Sequence, residues 1–120
     1  MQTLGQFPMV RMRRNRHDDF SRRLVRETTL SPSDLILPVF VEEGQNRRDP
    51  VPSMPGVCRL SIDQLLEVCE EMVSLGIPMV ALFPHIEQNL KAPDGREAHN
   101  PDGLIPRAVK AIKAKFPQLG

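Results

Sequence analysis

Two apolar runs, each followed by a long polar loop and an amphipathic segment, most constrain how this 120-residue chain can fold. The runs predict strands near residues 35–41 and 77–83, because short, nearly continuous apolar runs bounded by turn residues are typical of strands buried on both faces. Pro38 weakens the first of these predictions, since proline cannot donate to a ladder, although a position near the strand end tolerates it.

The first amphipathic segment is predicted to form a helix over residues 61–75. Its apolar residues follow the i, i+3, i+4, i+7 spacing of one helical face. Ser61 with Gln64 three residues later predicts a capping box, and Gly76 is the expected C-cap. Cys69 lies on the apolar face, so we interpret it as a core residue rather than a reactive thiol.

The second amphipathic segment is predicted to form a helix over residues 104–116. Asn100 can cap it and Pro101 can occupy its first turn, whereas Pro106 favours a main helix that begins near Ile105 after a separate turn. Long polar loops at residues 42–60 and 84–100 follow the two predicted strands. Barrel enzymes build their sites from such loops, so this order favours a barrel over an open sheet.

The predicted fold class is α/β. We expect an extended N-terminal arm over residues 1–30, followed by the first two βα units of a TIM (β/α)8 barrel over residues 31–120. Two strands alone do not make a stable parallel sheet, so the chain is expected to be a truncated portion of a larger barrel.

The arm is strongly basic although the formal net charge of the whole chain is only +1. Seven arginines and two aspartates lie between Arg11 and Arg26. Phe20, Leu24 and Val25 give the arm one short apolar stripe at helical spacing. A solvated arm that pairs with another subunit is favoured over nucleic-acid or membrane-surface binding, because the basic stretch from Arg11 to Arg26 offers one aromatic, Phe20, for base stacking and no zinc-finger spacing. No apolar run of the chain approaches the ~18 residues that a membrane span needs.

Few side chains are candidates for chemistry. His85, Glu42, Glu43 and Glu87 lie just past strand ends, where barrel enzymes place catalytic groups, but exposed loop side chains are the favoured interpretation. The lysines lie in a polar loop or on the polar side of a helix, so none is a credible Schiff-base nucleophile. The histidines do not share a metal-binding spacing.

The two cysteines, Cys58 and Cys69, are eleven residues apart and show no CxxC pattern. This spacing indicates neither a disulfide scaffold nor a zinc ribbon, and reduced thiols in the cytosol are the default. The N-terminus has no apolar signal-peptide region. A cytoplasmic location is therefore expected.

Nine short segments form an ordered series after the first ten residues. They are RMRRNR (11–16), LVRE (24–27), DLILPVFV (34–41), PSMPGV (52–57), RLSI (59–62), LGIP (75–78), VALFP (80–84), AHNPDGL (98–104) and FPQLG (116–120). Together they resemble the N-terminal third of the porphobilinogen synthase, or δ-aminolevulinic acid dehydratase, family. The proteobacterial form is the most similar in character.

The resemblance implies a hydro-lyase that condenses two 5-aminolevulinate molecules to porphobilinogen with loss of water, in tetrapyrrole and haem biosynthesis. It implies a TIM barrel whose N-terminal arm wraps a neighbouring subunit in a homo-octamer built from dimers. The family uses two Schiff-base lysines and a zinc or magnesium ion, and the resemblance places none of these groups in this chain. We therefore expect no catalytic residue and no metal ligand here, and no activity from the chain alone.

The resemblance carries one position to the substrate site. Phe83 ends the second predicted strand, where the family places an aromatic side chain against bound substrate; a core-capping phenylalanine is the alternative. Phe20, Leu24 and Val25 are the expected subunit contacts of the arm. A non-catalytic module that assembles oligomers through its arm is the alternative function, and a basic nucleic-acid-binding domain is a third.

Overall fold

The computed structural model describes residues 5–11 and 13–120. They belong to two units, Met1–Leu30 and Ser31–Gly120. Across the described part of the chain, no helix is both long enough and apolar enough to cross a membrane.

Two short helices form the centre of the first unit, α1 (Arg14–His17) and α2 (Asp19–Leu24). The Ser21 hydroxyl donates to the carbonyl oxygens of Asn15 and Asp18, at 3.3 and 3.1 Å. These hydrogen bonds join the start of α2 to the α1 region. Part of the segment predicted as an extended arm is therefore helical.

The apolar stripe of the first unit lies on α2. Phe20 and Leu24 are helical, and Val25 is the C-cap residue. All three side chains are exposed, Phe20 to 67%. The stripe is therefore helical, as its spacing predicts, and its apolar side chains are exposed.

The second unit is a four-stranded sheet with two helices on one face. The strands are β1 (Ile36–Val41), β2 (Arg48–Pro50), β3 (Cys58–Leu60) and β4 (Met79–Pro84), and their order in the sheet is β2-β3-β1-β4. β1 is parallel to both β3 and β4, whereas β2 is antiparallel to β3. The predicted parallel pairing of the two apolar runs is confirmed.

The segment predicted as a loop over residues 42–60 contains two of these strands. β2 and β3 are joined by a turn in which the Val51 N–H donates to the Val57 carbonyl at 2.9 Å. Each strand has three residues. Three residues are too few to display the alternation by which a strand is recognised, so the sequence pattern missed both.

Pro38 lies inside β1 rather than near its end. In parallel strands, both backbone polar groups of a residue face the same neighbour. The Glu42 N–H donates to the Leu60 carbonyl of β3 at 2.9 Å, so the even-numbered residues of this segment face β3. β3 pairs with Phe40 and Val41 at the far end of β1. Pro38, which has no N–H to donate, therefore faces β3 but lies before the residues of β1 that pair with it. No hydrogen bond between the strands is lost there, which explains why β1 tolerates proline.

The helix α3 (Ile62–Leu75) matches the prediction from apolar spacing. Gly76 ends it with a φ of 76°, in the left-handed region that favours glycine, as predicted. The predicted capping box between Ser61 and Gln64 is wrong. The Ser61 hydroxyl instead accepts a hydrogen bond from the Arg47 N–H at 2.9 Å, which ties the start of α3 to the loop after β1.

The helix α4 (Leu104–Lys115) follows Gly103, and a separate turn precedes it as predicted. Asn100 does not cap the helix. Its side-chain oxygen accepts the Asp102 N–H at 3.0 Å, so it closes the preceding turn, in which Pro101 also lies. The expected roles of Asn100 and Pro101 at the start of α4 are therefore wrong, because local hydrogen bonding by asparagine competes with capping.

The core lies between the sheet and the two helices. Its members include Val39, Val41, Leu65, Cys69, Met72, Ala108 and Ile112. Cys69 is fully buried, as predicted, and this burial raises the pKa of its thiol. A protonated, inaccessible thiol of this kind is unreactive.

Leu65 and Leu75 provide a matched test of this core. Leu65 is 0% exposed and Leu75 is 57% exposed, although both lie on α3. Leu65→Ala should lower the free energy of unfolding by about 2–5 kcal/mol, because it leaves a cavity in a packed core. Leu75→Ala should lower the free energy of unfolding by well under half of that amount, because its side chain is largely exposed. Urea denaturation of both variants measures the difference, and equal losses would contradict this packing.

A capping box forms at the start of the second unit, around the 3-10 helix Pro32–Asp34. The Asp34 carboxylate accepts hydrogen bonds from the Ser31 N–H at 2.8 Å and from the Ser31 hydroxyl at 2.9 Å. These bonds, the backbone one foremost, hold the pKa of Asp34 below its ordinary value. Residues 31–34 thus form a short capped segment at the start of the second unit.

The capping box should make stability depend on pH. Because the folded-state pKa of Asp34 is lowered, its contribution is complete above the unfolded-state pKa and is lost as the pH falls through the lower folded-state pKa. Asp34→Asn should therefore destabilise the chain at pH 7, and its difference from wild type should shrink below about pH 4. Urea denaturation of the wild type and of Asp34→Asn, at pH 7 and below about pH 4, measures this difference in stability. Asp102→Asn is the control. A difference that stays constant with pH would refute it.

Candidate functional site

A cavity of about 370 Å³ lies at the carboxyl ends of β1 and β4. Because these strands are parallel neighbours, the loops that follow them leave the sheet at the same edge. The loop after β1, the loop after β4 and the first residue of α4 line the cavity. This edge is where parallel α/β folds place ligand sites.

Glu42 is the buried charged residue of this cavity. It directly follows β1 and is 4% exposed. Its Oε2 lies 3.9 Å from Nδ1 of His85, and its Oε1 lies 3.4 Å from Nε of Arg47. Among the described residues, none donates a hydrogen bond to Oε1. The interpretation of Glu42 as a solvated loop charge is therefore wrong.

Arg47 divides its hydrogen bonds among several acceptors. One terminal nitrogen donates to the Glu43 carbonyl at 3.4 Å, and the other pairs with the Asp49 carboxylate. The hydrogen bond and the charge of Asp49, with a smaller effect of Glu42, raise the pKa of Arg47. The guanidinium is thus held beside Glu42 but directs its hydrogen bonds elsewhere, so it compensates the buried carboxylate only in part.

The Glu43 carboxylate pairs with Arg107 of α4. The Arg107 Nε also donates to the Asp102 carbonyl at 2.9 Å. One side chain of α4 therefore binds both the loop after β1 and the turn before the helix. The loop after β1 therefore contacts the segment after β4 in two ways, through the Glu43–Arg107 ion pair and through Glu42 beside His85.

His85 and Glu87 are exposed, as interpreted from the sequence. The structure nevertheless brings His85 next to Glu42 and places both in the cavity wall with Glu43 and Glu87. In the sequence, a position just after a strand is the feature that marks all four residues as candidates for a site. This feature does not distinguish the buried Glu42 from the exposed glutamates, because the surroundings of Glu42 include His85, more than forty residues away in the chain.

Phe83 lies on β4, directly opposite Phe40 of β1. The two ring centroids are 5.9 Å apart, with the ring planes at 50°. Val39 and Val41 face the helices, so the alternation of the strand places Phe40 on the opposite face of the sheet. Phe83 is 50% exposed and lies outside the cavity wall that contains Glu42.

Metal coordination is not supported by the described residues. Within residues 5–11 and 13–120, no group of three or more histidine, cysteine, aspartate or glutamate side chains is arranged to hold a metal ion. Cys58 is half-buried on β3, and Cys69 is enclosed by the core. These residues do not fit a zinc or magnesium centre, so no chemical step is assigned to a metal.

Comparison with known proteins identifies the family. The family model for delta-aminolevulinic acid dehydratase matches residues 9–120. The delta-aminolevulinic acid dehydratase of Bradyrhizobium diazoefficiens is 47% identical over 111 residues, which cover 92% of this chain and 31% of that protein. The corresponding protein of Chlamydia pneumoniae is 43% identical over 109 residues, which cover 91% of this chain and 33% of that protein.

A solved structure shares both sequence and fold with this chain. It is the crystal structure of delta-aminolevulinic acid dehydratase (porphobilinogen synthase) from Toxoplasma gondii ME49 in complex with the reaction product porphobilinogen, and it matches with a TM-score of 0.84 and 44% identity. The match covers 92% of this chain and 31% of that one, so the chain spans about a third of the length of the relatives it matches. The resemblance of the nine ordered segments is confirmed. With its parallel βα units and its match over residues 9–120, the chain belongs to the delta-aminolevulinic acid dehydratase family.

Proposed function

We propose that this chain functions as part of a porphobilinogen synthase, which condenses two 5-aminolevulinate molecules to porphobilinogen with loss of water in tetrapyrrole and haem biosynthesis. The observation that carries the proposal is the family match over residues 9–120, with 47% identity to the Bradyrhizobium dehydratase. The Toxoplasma structure with the same fold contains porphobilinogen.

Within such an enzyme, Ser31–Gly120 would supply the first two βα units of a TIM barrel. β1 and β4 are adjacent and parallel, and both helices lie on one face of the sheet. In a closed barrel the helices form the outer ring, and the opposite face of each strand points inward. Phe40 and Phe83 lie on that opposite face, which supports an interior position for both.

Phe83 is the residue of this chain that we propose to contact substrate. It lies at the carboxyl end of β4, and half of its surface is open. An aromatic ring there would pack against the carbon skeleton of 5-aminolevulinate and exclude water from it. The Schiff-base lysines and the zinc or magnesium ion that the family uses are not assigned to described residues, so this chain's proposed roles are packing, substrate contact and assembly.

The activity can be tested in a chimera in which this chain replaces the matched part of the Bradyrhizobium dehydratase. The chimera should form porphobilinogen from 5-aminolevulinate, and the full 120-residue chain alone should not. Phe83→Ala in the chimera should raise KM by about 10- to 150-fold, because burial of an aromatic side chain against substrate is worth about 1.5–3 kcal/mol. Leu75→Ala, on the exposed face of α3, is the control. A folded but inactive chimera would overturn the proposed activity.

We further infer that the first unit docks on another subunit and supports a homo-octamer. Its apolar stripe of Phe20, Leu24 and Val25 is exposed, and arginines flank the stripe on both sides. An exposed apolar stripe on a helix needs a partner surface to bury it. The same observation favours the alternative function, a non-catalytic interaction module, so an assembled but inactive chimera would support that alternative.

Assembly should depend on the apolar stripe more than on single arginines. Phe20→Ala in the chimera should shift the assembly toward smaller species, because burial of such a side chain contributes roughly 1.5–3 kcal/mol. Arg23→Ala should have a smaller effect, since Arg23 forms a surface ion pair with Asp19 and such pairs are worth about 0–1 kcal/mol. Sedimentation velocity compares the two variants. The reverse order would show that the arm is held electrostatically.

We infer a cytoplasmic location from the cysteines. Cys58 and Cys69 are both free thiols. Free thiols are typical of proteins kept in a reducing compartment.

A further inference from the structure

A second cavity, in the first unit, carries a concentrated positive charge. Its volume is about 740 Å³, and its wall contains three guanidinium groups and no carboxylate. The lining residues are Phe7, Val10, Arg11, Arg13, Arg16 and His17. We call it the arginine cavity. The apolar stripe on α2 does not line it, so this surface is separate from the one proposed to dock on another subunit.

The carboxylates of the basic stretch are engaged by other side chains. Asp18 and Asp19 are the two acidic residues between positions 11 and 26. Asp18 lies 2.9 Å from Nδ1 of His17, and Asp19 pairs with two arginines of α2, at 3.5 and 3.0 Å. Within the described part of the chain, none of the three arginines of the arginine cavity forms an ion pair. Their positive charges therefore repel one another without a counter-ion from these residues.

Local contacts hold two parts of the wall in place. The guanidinium carbon of Arg11 lies 5.2 Å from the ring centroid of Phe7, so the ring supports it through a cation–π contact. One terminal nitrogen of Arg22 donates to the carbonyl oxygens of Arg16 and His17, at 3.2 Å each. These hydrogen bonds fix the end of α1 relative to α2. The wall is thus ordered before a ligand binds, which lowers the entropic cost of binding.

The chemistry of the wall favours phosphoryl oxygens. A guanidinium group is permanently charged, and its planar fork of N–H donors matches pairs of carboxylate or phosphate oxygens. A diphosphate carries more negative charge than a carboxylate and more terminal oxygens than a single phosphate, so it can engage several guanidinium groups at once. The volume of the arginine cavity lies within the range of small-ligand sites.

We propose that the arginine cavity binds a diphosphate group. The guanidinium groups of Arg11, Arg13 and Arg16 donate to its terminal oxygens. The group is either free pyrophosphate or the diphosphate of a small ester such as a nucleotide. The inference concerns binding alone and does not require the proposed synthase activity.

The test is calorimetric titration of the full chain with pyrophosphate, at about 0.15 M salt so that long-range attraction is screened. Arg16→Gln should weaken binding at least about tenfold, because charge-assisted hydrogen bonds are lost. Arg14→Gln is the matched control, since it removes the same charge from the same helix but at a residue outside the cavity wall. It should bind nearly as wild type does. Absence of binding, or equal losses from the two variants, would overturn the proposal.

Orthophosphate and ADP distinguish the possible ligands. Orthophosphate should bind at least about tenfold more weakly than pyrophosphate, because it forms fewer hydrogen bonds to the guanidinium groups, and equal binding would overturn the proposal. ADP that binds at least as tightly as pyrophosphate would support the proposal with an ester as the ligand, and weaker binding of ADP would support it with the free anion.

NMR of the arginine side chains keeps the test decisive if a variant fails to fold. In the wild-type chain, pyrophosphate should shift the Nε–H resonances of Arg11, Arg13 and Arg16 and leave that of Arg14 nearly unchanged. Similar shifts at all the arginines would show general attraction to a basic segment and would overturn the proposal. A single-stranded oligonucleotide that binds at least about tenfold more tightly than pyrophosphate and ADP would show a nucleic-acid surface instead and would also overturn it.

Discussion

The parallel pairing of β1 with β4 is the constraint on which the rest of the second unit depends. Six consecutive residues of each strand lie opposite one another, from Ile36 and Met79 to Val41 and Pro84. This pairing sends the two following loops from the same edge of the sheet and turns one apolar face toward both helices. The core, the cavity and the exposed aromatic face are separate consequences of that one register.

The cavity shows what this arrangement costs electrostatically. Glu42 continues directly from β1 and is almost completely buried. Among the described residues, the Arg47 guanidinium 3.4 Å away compensates the carboxylate in part, and His85 lies 3.9 Å away. Taking a carboxylate out of water is unfavourable unless hydrogen bonds replace its hydration. The ion pair between Glu43 and Arg107 holds the same loops together without that penalty, because its groups remain accessible to solvent.

Several elements followed from the sequence because their causes are local. The periodicity of α3 and the glycine at its C-cap need no information beyond the segment itself, and Cys69 is buried because it lies on the apolar face. The capping box predicted for Ser61 is wrong for the opposite reason, because its hydroxyl accepts a hydrogen bond from Arg47, which lies fourteen residues away in the chain. The error at Asn100 is a local one: its side chain closes the turn before α4 by accepting the Asp102 N–H, which competes with capping of the helix.

The amino-acid sequence by itself determined the α/β class, the parallel order of the two main strands and, through nine ordered segments, the family. Hydrophobic periodicity and local capping carry that information, since both act over a few residues. Only the tertiary structure decided that β2 and β3 join the sheet, that Phe40 lies against Phe83, and that Glu42 is buried while Glu43 is not. Those outcomes depend on contacts between residues far apart in the chain. No local pattern specifies such contacts, because they arise only after the strands have paired.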